Sequence, residues 1–279
     1  MLVFAKIKSV QDTISSLSNN AKIGFVPTMG ALHEGHLSLI ERAKKENDFV
    51  AVSIFVNPTQ FDKKEDLINY PKTIHADLAL LKSLNCDLVF VPSAKEIYAE
   101  NVTAEHFDFD GLEFQMEGKF RKGHFDGVGT IVKRLFEIVT PSNAYFGEKD
   151  FQQLQIIKKM VEKNQIPVNI IGCEIFREND GLAMSSRNVR LTHQQREAAP
   201  FIYKTLQQAK EKFGIKNAIE ITKWVENEFE NNPLLELEYF EIANEQTLLP
   251  ETEKKPEQKY RAFIAVFAGK IRLIDNISL

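Results

Sequence analysis

The sequence predicts an α/β protein, a doubly wound parallel sheet followed by a smaller C-terminal α+β domain. Two observations carry this. Short apolar runs rich in Val, Ile and Phe recur through the first two-thirds of the chain and alternate with longer stretches of helical period. That alternation is expected of strands buried on both faces by crossover helices. After about Ser186 the texture changes to helices followed by three strand-like runs. At 279 residues the chain exceeds the roughly 100 to 200 of one domain. The boundary is expected within residues 176–190, and the two domains are taken as 1–180 and 181–279.

The expected strands of the first domain are Ile23–Val26, Val50–Val56, Leu88–Val91, Ala144–Phe146 and Val168–Ile171. Between them Leu37–Lys45, Asp77–Leu84, Val128–Ile138 and Phe151–Lys163 carry the helical period. In the second domain Thr192-His193-Gln194-Gln195 has the spacing of a capping box. It opens a long helix to about Phe213, which Pro200 should kink because proline removes one backbone donor. A helix over Ala218–Glu230 follows, then strands at Leu237–Ala243, Arg261–Phe267 and Ile271–Asp275. Lys254-Lys255-Pro256-Glu257 is the clearest polar loop there. The first domain is thus Rossmann-like.

Composition excludes several classes. Hydrophobic residues make up 43% and charged residues 27%, which places the chain with folded soluble proteins rather than disordered or fibrous ones. Lys plus Arg total 35 against 39 Asp plus Glu, a net charge of −4, without the positive excess that nucleic-acid binding needs. Cys86 and Cys173 are far apart and form no C-x-x-C pair, so neither a disulfide framework nor a thiolate zinc site is expected. Lys6 interrupts the N-terminus before any apolar core of a signal forms, and no run of 18 apolar residues occurs. A cytoplasmic setting without membrane contact is expected.

In an open parallel sheet, ligands bind just beyond the carboxyl ends of the strands. Four polar segments lie there. Ile23–Val26 runs into Pro27-Thr28-Met29-Gly30-Ala31-Leu32-His33-Glu34-Gly35-His36, and Val50–Val56 into Asn57-Pro58-Thr59-Gln60. Ala144–Phe146 leads to Gly147-Glu148-Lys149-Asp150 and then Phe151-Gln152-Gln153. The last strand leads through Phe176 to Met184-Ser185-Ser186-Arg187-Asn188. Singly, two loop histidines, a lysine between acids and a Ser-Ser turn are ordinary surface features. Their shared position after predicted strands points to one ligand.

The first segment has the properties of a phosphate site. Gly30 permits a close turn, and the helix that follows would aim free amides and its positive dipole end at an anion. His33 and His36, three apart, share one face of its first turn. Known nucleotide loops do not fit: neither G-x-x-x-x-G-K-[ST] nor G-x-G-x-x-G is present, and Gly127-Val128-Gly129 lacks the third glycine. His33-Glu34-Gly35-His36 is one residue short of H-E-x-x-H, against a zinc-protease site. Two histidines, Lys149, the Ser185 and Ser186 hydroxyls and the Arg187 fork suit displacement at a nucleotide α-phosphate. The attacking group can be an ionised substrate carboxylate, so the protein's task is alignment and charge neutralisation.

These residues also form a recognisable pattern. Pro27 to His36 resembles the signature of the pantothenate synthetase (pantoate–β-alanine ligase) family, of the H-x-G-H nucleotidyltransferase superfamily. Ser53 to Phe61, Tyr70-Pro71 with Thr73 and Asp77, and Gly123-His124-Phe125 are similar to its later blocks. So are Gly147 to Gln153, Asp180 to Asn188, and the closing Gly269, Arg272-Leu273-Ile274-Asp275-Asn276. H-x-G-H alone is widely shared, but the ordered set spans nearly the whole chain and is highly specific. Lys122, where the family commonly has proline, and Glu238, where it often has aspartate, only flank the motifs.

The resemblance implies two steps: pantoate and ATP form pantoyl adenylate and pyrophosphate, then β-alanine's amine attacks to give pantothenate and AMP. Magnesium (Mg2+) accompanies ATP. By matching position it implies an ATP site of Pro27, Thr28, Met29, Gly30, Ala31, Leu32, His33, Glu34, Gly35 and His36. Gly147, Glu148, Lys149, Asp150, Phe176, Met184, Ser185, Ser186 and Arg187 complete that site. His36 is the implied proton donor, His33 stabilises phosphate charge and Lys149 lies on the phosphates. Ser185, Ser186 and Arg187 join them as catalytic candidates, in the place of the mobile K-M-S-K-S loop of related aminoacylating enzymes. Gln60, Gln153 and Asn57 fall to pantoate and β-alanine, and Asp77 to the magnesium neighbourhood. The resemblance further implies a homodimer and a lid role for the C-terminal domain. Three other readings compete: a superfamily member whose product keeps the whole nucleotide, a catalytically silent nucleotide binder, and a tRNA-charging fragment. Product analysis separates the first, the intact Lys149, serines and Arg187 argue against the second, and the negative charge against the third.

Overall fold

The computed structural model describes residues 1–61 and 64–279. They pack as two compact units: residues 1–113, 118–148 and 153–174 in one, residues 114–117, 149–152 and 175–279 in the other. Besides residues 175–279, the second unit takes two short segments from earlier in the chain. The cause is local: Glu117 accepts both Arg272 guanidinium nitrogens at 2.7 Å and the Tyr239 hydroxyl at 2.8 Å, and Phe151 lies under Arg261.

The first unit is built on six parallel strands: β1 (Leu2–Phe4), β2 (Ile23–Thr28), β3 (Phe49–Ile54), β4 (Leu88–Phe90), β5 (Asn143–Gly147) and β6 (Asn169–Cys173). Their order is β1-β4-β3-β2-β5-β6. Successive strand residues face opposite ways, so each strand feeds two cores. Val26 and Tyr145 join Leu39, Ile40 and Ala43 of the helix Glu34–Glu46 on one face. Phe25 and Phe146 set their rings edge-on to Phe136 of the helix His124–Val139 on the other. Five of the six strands coincide with predicted runs. The sixth, β1, is three residues long and more exposed, with too little apolar sequence to register.

The strand order reverses direction between β2 and β5. These strands pair only at Gly24 with Asn143 and Phe25 with Ala144, and part beyond. The chain leaving β2 at Thr28 and the chain leaving β5 at Gly147 therefore flank the kind of crevice in which such sheets bind ligands.

The second unit carries a three-stranded antiparallel sheet, β7 (Glu236–Asn244), β8 (Tyr260–Ala268) and β9 (Ile271–Ser278). Leu206 of the helix Phe201–Phe213 and Ile221 and Val225 of the helix Ala218–Glu230 pack with Ile264 and Val266 of the sheet. The capping box forms: Thr192 Oγ1 accepts the Gln195 amide at 3.3 Å and Gln195 Oε1 accepts the Thr192 amide at 3.0 Å. Pro200 does more than kink the expected helix. It separates a helix His193–Ala198 from the helix Phe201–Phe213, occupying the N-cap where its missing N–H costs nothing.

The helix His124–Val139 also seats the turn Pro58–Gln60. A Cβ on Gly127 would lie 2.8 Å from the Gln60 nitrogen and closer still to the Thr59 carbonyl. Gly127→Ala is expected to destabilise the protein by about 1–3 kcal/mol through overpacking. Urea denaturation checks this, and an unchanged midpoint would mean that the turn yields without cost.

Candidate active site

The loop leaving β2 turns through two consecutive left-handed residues, Gly30 at φ 81° and Ala31 at φ 50°. Gly30 has no room for a side chain, since a Cβ would sit 3.0 Å from both Asp77 Oδ2 and Ile54 Cγ2. A left-handed alanine is disfavoured by roughly 1–2 kcal/mol. Asp77, 1% exposed on the first turn of the helix Ile74–Ser83, holds the loop there. Its Oδ2 accepts the Ala31 amide at 3.1 Å and its Oδ1 the Leu32 amide at 2.8 Å, while the Thr73 hydroxyl donates to both oxygens.

Asp77, expected in the magnesium neighbourhood, thus has a task within the protein. Two amide protons and one hydroxyl proton occupy most of its roughly four acceptor sites, and magnesium in such sites is held mainly by substrate phosphates and water. Among the described residues no group of three or more His, Cys, Asp or Glu side chains is arranged to hold a metal ion. The donor set does not fit a protein-caged magnesium.

His33 caps the helix Glu34–Glu46 and His36 lies three residues on, with ring centroids 4.0 Å apart. The His33 amide donates to His36 Nδ1 at 3.4 Å. As an acceptor Nδ1 is unprotonated, so the neutral ring keeps its proton on Nε2. The expected sharing of one helical face by the two histidines is present.

Gln60 closes on the same loop, its Nε2 3.1 Å from Met29 Sδ. Asn57, expected among the substrate contacts, is 1% exposed and fully engaged within the protein. Its Nδ2 donates to Gln60 Oε1 and to the Gly127 carbonyl, both at 3.1 Å. Its Oδ1 accepts from the Thr59 hydroxyl at 3.0 Å and from the Tyr98 hydroxyl. Burial pushes the Tyr98 phenol above its ordinary value and keeps it a donor. Asn57 therefore holds Gln60. The Gln60 carbonyl accepts His124 Nδ1 at 2.7 Å and Arg121 Nη2 at 3.4 Å. The sequence signalled His124 only through its Gly123-His124-Phe125 block and signalled Tyr98 not at all.

On the second unit, Lys149 is half-buried with Nζ 3.8 Å from Asp150 Oδ2. Phe176 and Met184 are joined by the Met184 amide donating to the Phe176 carbonyl at 3.0 Å, and Arg177 bridges to Ala183. Ser185 Oγ accepts the Arg187 amide at 3.3 Å. Asn188 pins the turn, its Nδ2 donating to Glu178 Oε1 at 2.8 Å and the Ala183 carbonyl at 3.1 Å. Gln153 is half-buried on the first turn of the helix Phe151–Lys163, whereas its neighbour Gln152 is buried, holding the Glu117 amide and the Gln115 carbonyl. Cys86 and Cys173 are buried, the Cys86 thiol pushed up to about 12, and neither is placed to act as a nucleophile.

Comparison with known proteins gives the family and the fold. The family profile described as pantoate-beta-alanine ligase matches residues 2–278. The chain is 56% identical to the pantothenate synthetase of Flavobacterium psychrophilum over all of both chains, and 47% identical to that of Bacteroides fragilis over 99% and 98% of the two. A Thermus thermophilus pantothenate synthetase crystal structure superposes with a TM-score of 0.91 at 40% identity, covering 99% of each chain. A Francisella tularensis pantoate-beta-alanine ligase, crystallised with beta-gamma ATP and beta-alanine, superposes with a TM-score of 0.84 at 41% identity, covering 100% of this chain and 97% of that one.

Removing the Asp77 carboxylate should release the loop. Asp77→Ala is expected to cost about 1–3 kcal/mol for each amide left without a partner, and Asp77→Asn less, because one carbonyl oxygen remains. Hydrogen exchange at Ala31 and Leu32 reads this directly; slow exchange in Asp77→Ala would show that another group holds the loop.

Proposed function

The chain belongs to the pantoate–β-alanine ligase family, and from that premise we propose how it works: it condenses pantoate with β-alanine to pantothenate, using ATP and passing through pantoyl adenylate. The observation that carries this reading is the loop Met29–Leu32, fixed by Asp77 at the parting of β2 and β5, with His33, His36 and Gln60 beside it. A helix of 13 residues begins there, its dipole favouring anions.

The first step breaks the bond between the α- and β-phosphates of ATP and forms one from the pantoate carboxylate to the α-phosphorus. The carboxylate is ionised at neutral pH and needs no base, so the protein aligns it and neutralises charge on the phosphoryl oxygens. We assign Met29 to His36 to the nucleotide. His36 donates from Nε2–H to a phosphoryl oxygen, as its Nδ1 contact supports, and His33 adds a second imidazole. Gly147 to Asp150, Phe176 and Met184 to Arg187 take further nucleotide contacts, with Lys149 on phosphate charge and the serines and Arg187 as donors. Gln60 and Gln153 take pantoate, whose hydroxyls and carboxylate suit amide side chains.

In the second step β-alanine's amine attacks the activated carbonyl, an amide bond forms and AMP leaves. The amine attacks only when neutral, although a free alkyl ammonium keeps its proton to about pH 10. We take magnesium to arrive on ATP, consistent with the donor set around Asp77. A homodimer and a cytoplasmic setting belong to the same proposal and rest on the family resemblance.

Pyrophosphate should appear from ATP, magnesium and pantoate without β-alanine, and AMP turnover only when β-alanine is added. Pyrophosphate release indifferent to pantoate would overturn the substrate assignment. His36→Ala and Lys149→Ala should each slow pyrophosphate release by about 100- to 1,000-fold with the fold retained. Near-normal release by either would remove that residue from the chemistry.

A further inference from the structure

The closing strand β9 contains Asp275-Asn276, matched in the sequence but without a task so far. Both side chains are buried, and each engages a segment assigned to ATP. The Asn276 amide works in two directions. Its Oδ1 accepts Arg261 Nη1 at 2.6 Å, and its Nδ2 donates to the backbone carbonyl of Lys149 at 2.9 Å.

Arg261 is itself held, through Nε to Glu245 Oε1 at 2.9 Å, and by lying 3.9 Å from the ring centre of Phe151, two residues beyond Lys149. The amide is thereby locked in one orientation, because a flip would set its NH2 against a guanidinium and its oxygen against a carbonyl. Asp275 meanwhile accepts both terminal nitrogens of Arg177, at 2.6 and 3.0 Å. Arg177 Nη1 also donates to the Gly181 carbonyl at 3.1 Å, closing the base of the segment that leads to Met184–Arg187.

We propose that Asn276 is a positioning residue for adenylate formation, fixing the Lys149 backbone and so the aim of its ammonium, with Asp275 anchoring the Met184–Arg187 segment through Arg177. This deepens the function proposed above and rests on Lys149 meeting phosphate charge. The need is physical. A lysine ammonium is a point charge on a flexible four-carbon stem, so the backbone sets where it can reach. Lys149 lies in a three-residue 3₁₀ turn, Glu148–Asp150, too short to fix its own orientation by a hydrogen-bond ladder. A displacement of about 1 Å in a positioning group can cost about 100-fold in rate.

The test is a double-mutant cycle read by pyrophosphate release from ATP and pantoate. Asn276→Asp is nearly isosteric, keeps the acceptor for Arg261 and loses the donor to Lys149. Its melting temperature should fall, because a carboxylate oxygen now faces the Lys149 carbonyl, so rates are read well below it; its kcat should fall about 100-fold, and its KM for pantoate should hold. In a Lys149→Ala background the same substitution should change the rate less than about threefold, because the group it positions is gone. Equal losses in both backgrounds would mean general structural damage and overturn the proposal, as would an undiminished kcat in Asn276→Asp. If Lys149→Ala alone releases pyrophosphate at the parental rate, the assignment of Lys149 fails, visibly and separately, and the positioning role falls with it. Should Asn276→Asp not fold, Asn276→Ala, which removes both bonds without adding charge, goes through the same cycle and is read by the same criteria.

Discussion

In an open parallel sheet the crevice that takes a ligand opens where the strand order reverses, because there the chains leaving the two strands turn to opposite faces. Here the pair is β2 and β5. From β2 the sheet extends through β3 to β4, with the earlier strand β1 at the edge beside β4, and on the other side from β5 to β6. The pairing of β2 with β5 stops after two residues, so the carboxyl ends stand apart while the amino ends remain joined. The loop Met29–Leu32 and the N-terminus of the helix Glu34–Glu46 are where they are because of that parting. The candidate chemistry of the first unit follows from this constraint.

What the sheet does not supply is the shape of the loops at that place. Irregular backbone leaves amides and carbonyls that no ladder satisfies, and buried side chains must satisfy them. The same solution recurs. Asp77 takes the amides of Ala31 and Leu32, Asn57 and His124 take Gln60 by its side chain and its carbonyl, and Asn276 takes the carbonyl of Lys149. Each holder stands on or beside a regular element and is almost wholly buried, which lets it carry rigidity to the loop residue it holds. A functional residue on a loop is thus only as well placed as the polar side chain beneath it.

Much of this was legible in the order of residues. Apolar runs announced five of the first unit's strands, and the three runs near the C-terminus announced β7, β8 and β9, because burial on one or both faces leaves a direct mark on composition. The short edge strand β1 left none. Pro200 was read as a kink and is a break, since sequence shows the missing donor but not whether the helix restarts. Asp77 and Asn57 sit within motifs, and the structure shows each holding a loop. A motif records that a residue type is required and does not say whether it is required by the ligand or by the loop that meets the ligand.

The sequence by itself determined the fold class, the alternation of strand and helix and, through the ordered motifs, the family. These are local properties: period, polarity and spacing survive in one dimension. The tertiary structure alone decided that residues 114–117 and 149–152 pack with the C-terminal unit, that Asp77 is spent on two backbone amides, and that Asn276 reaches Lys149 from 127 positions away. Such pairings depend on which buried donor meets which buried acceptor once the chain has closed, and no periodicity in the chain encodes a partner so distant.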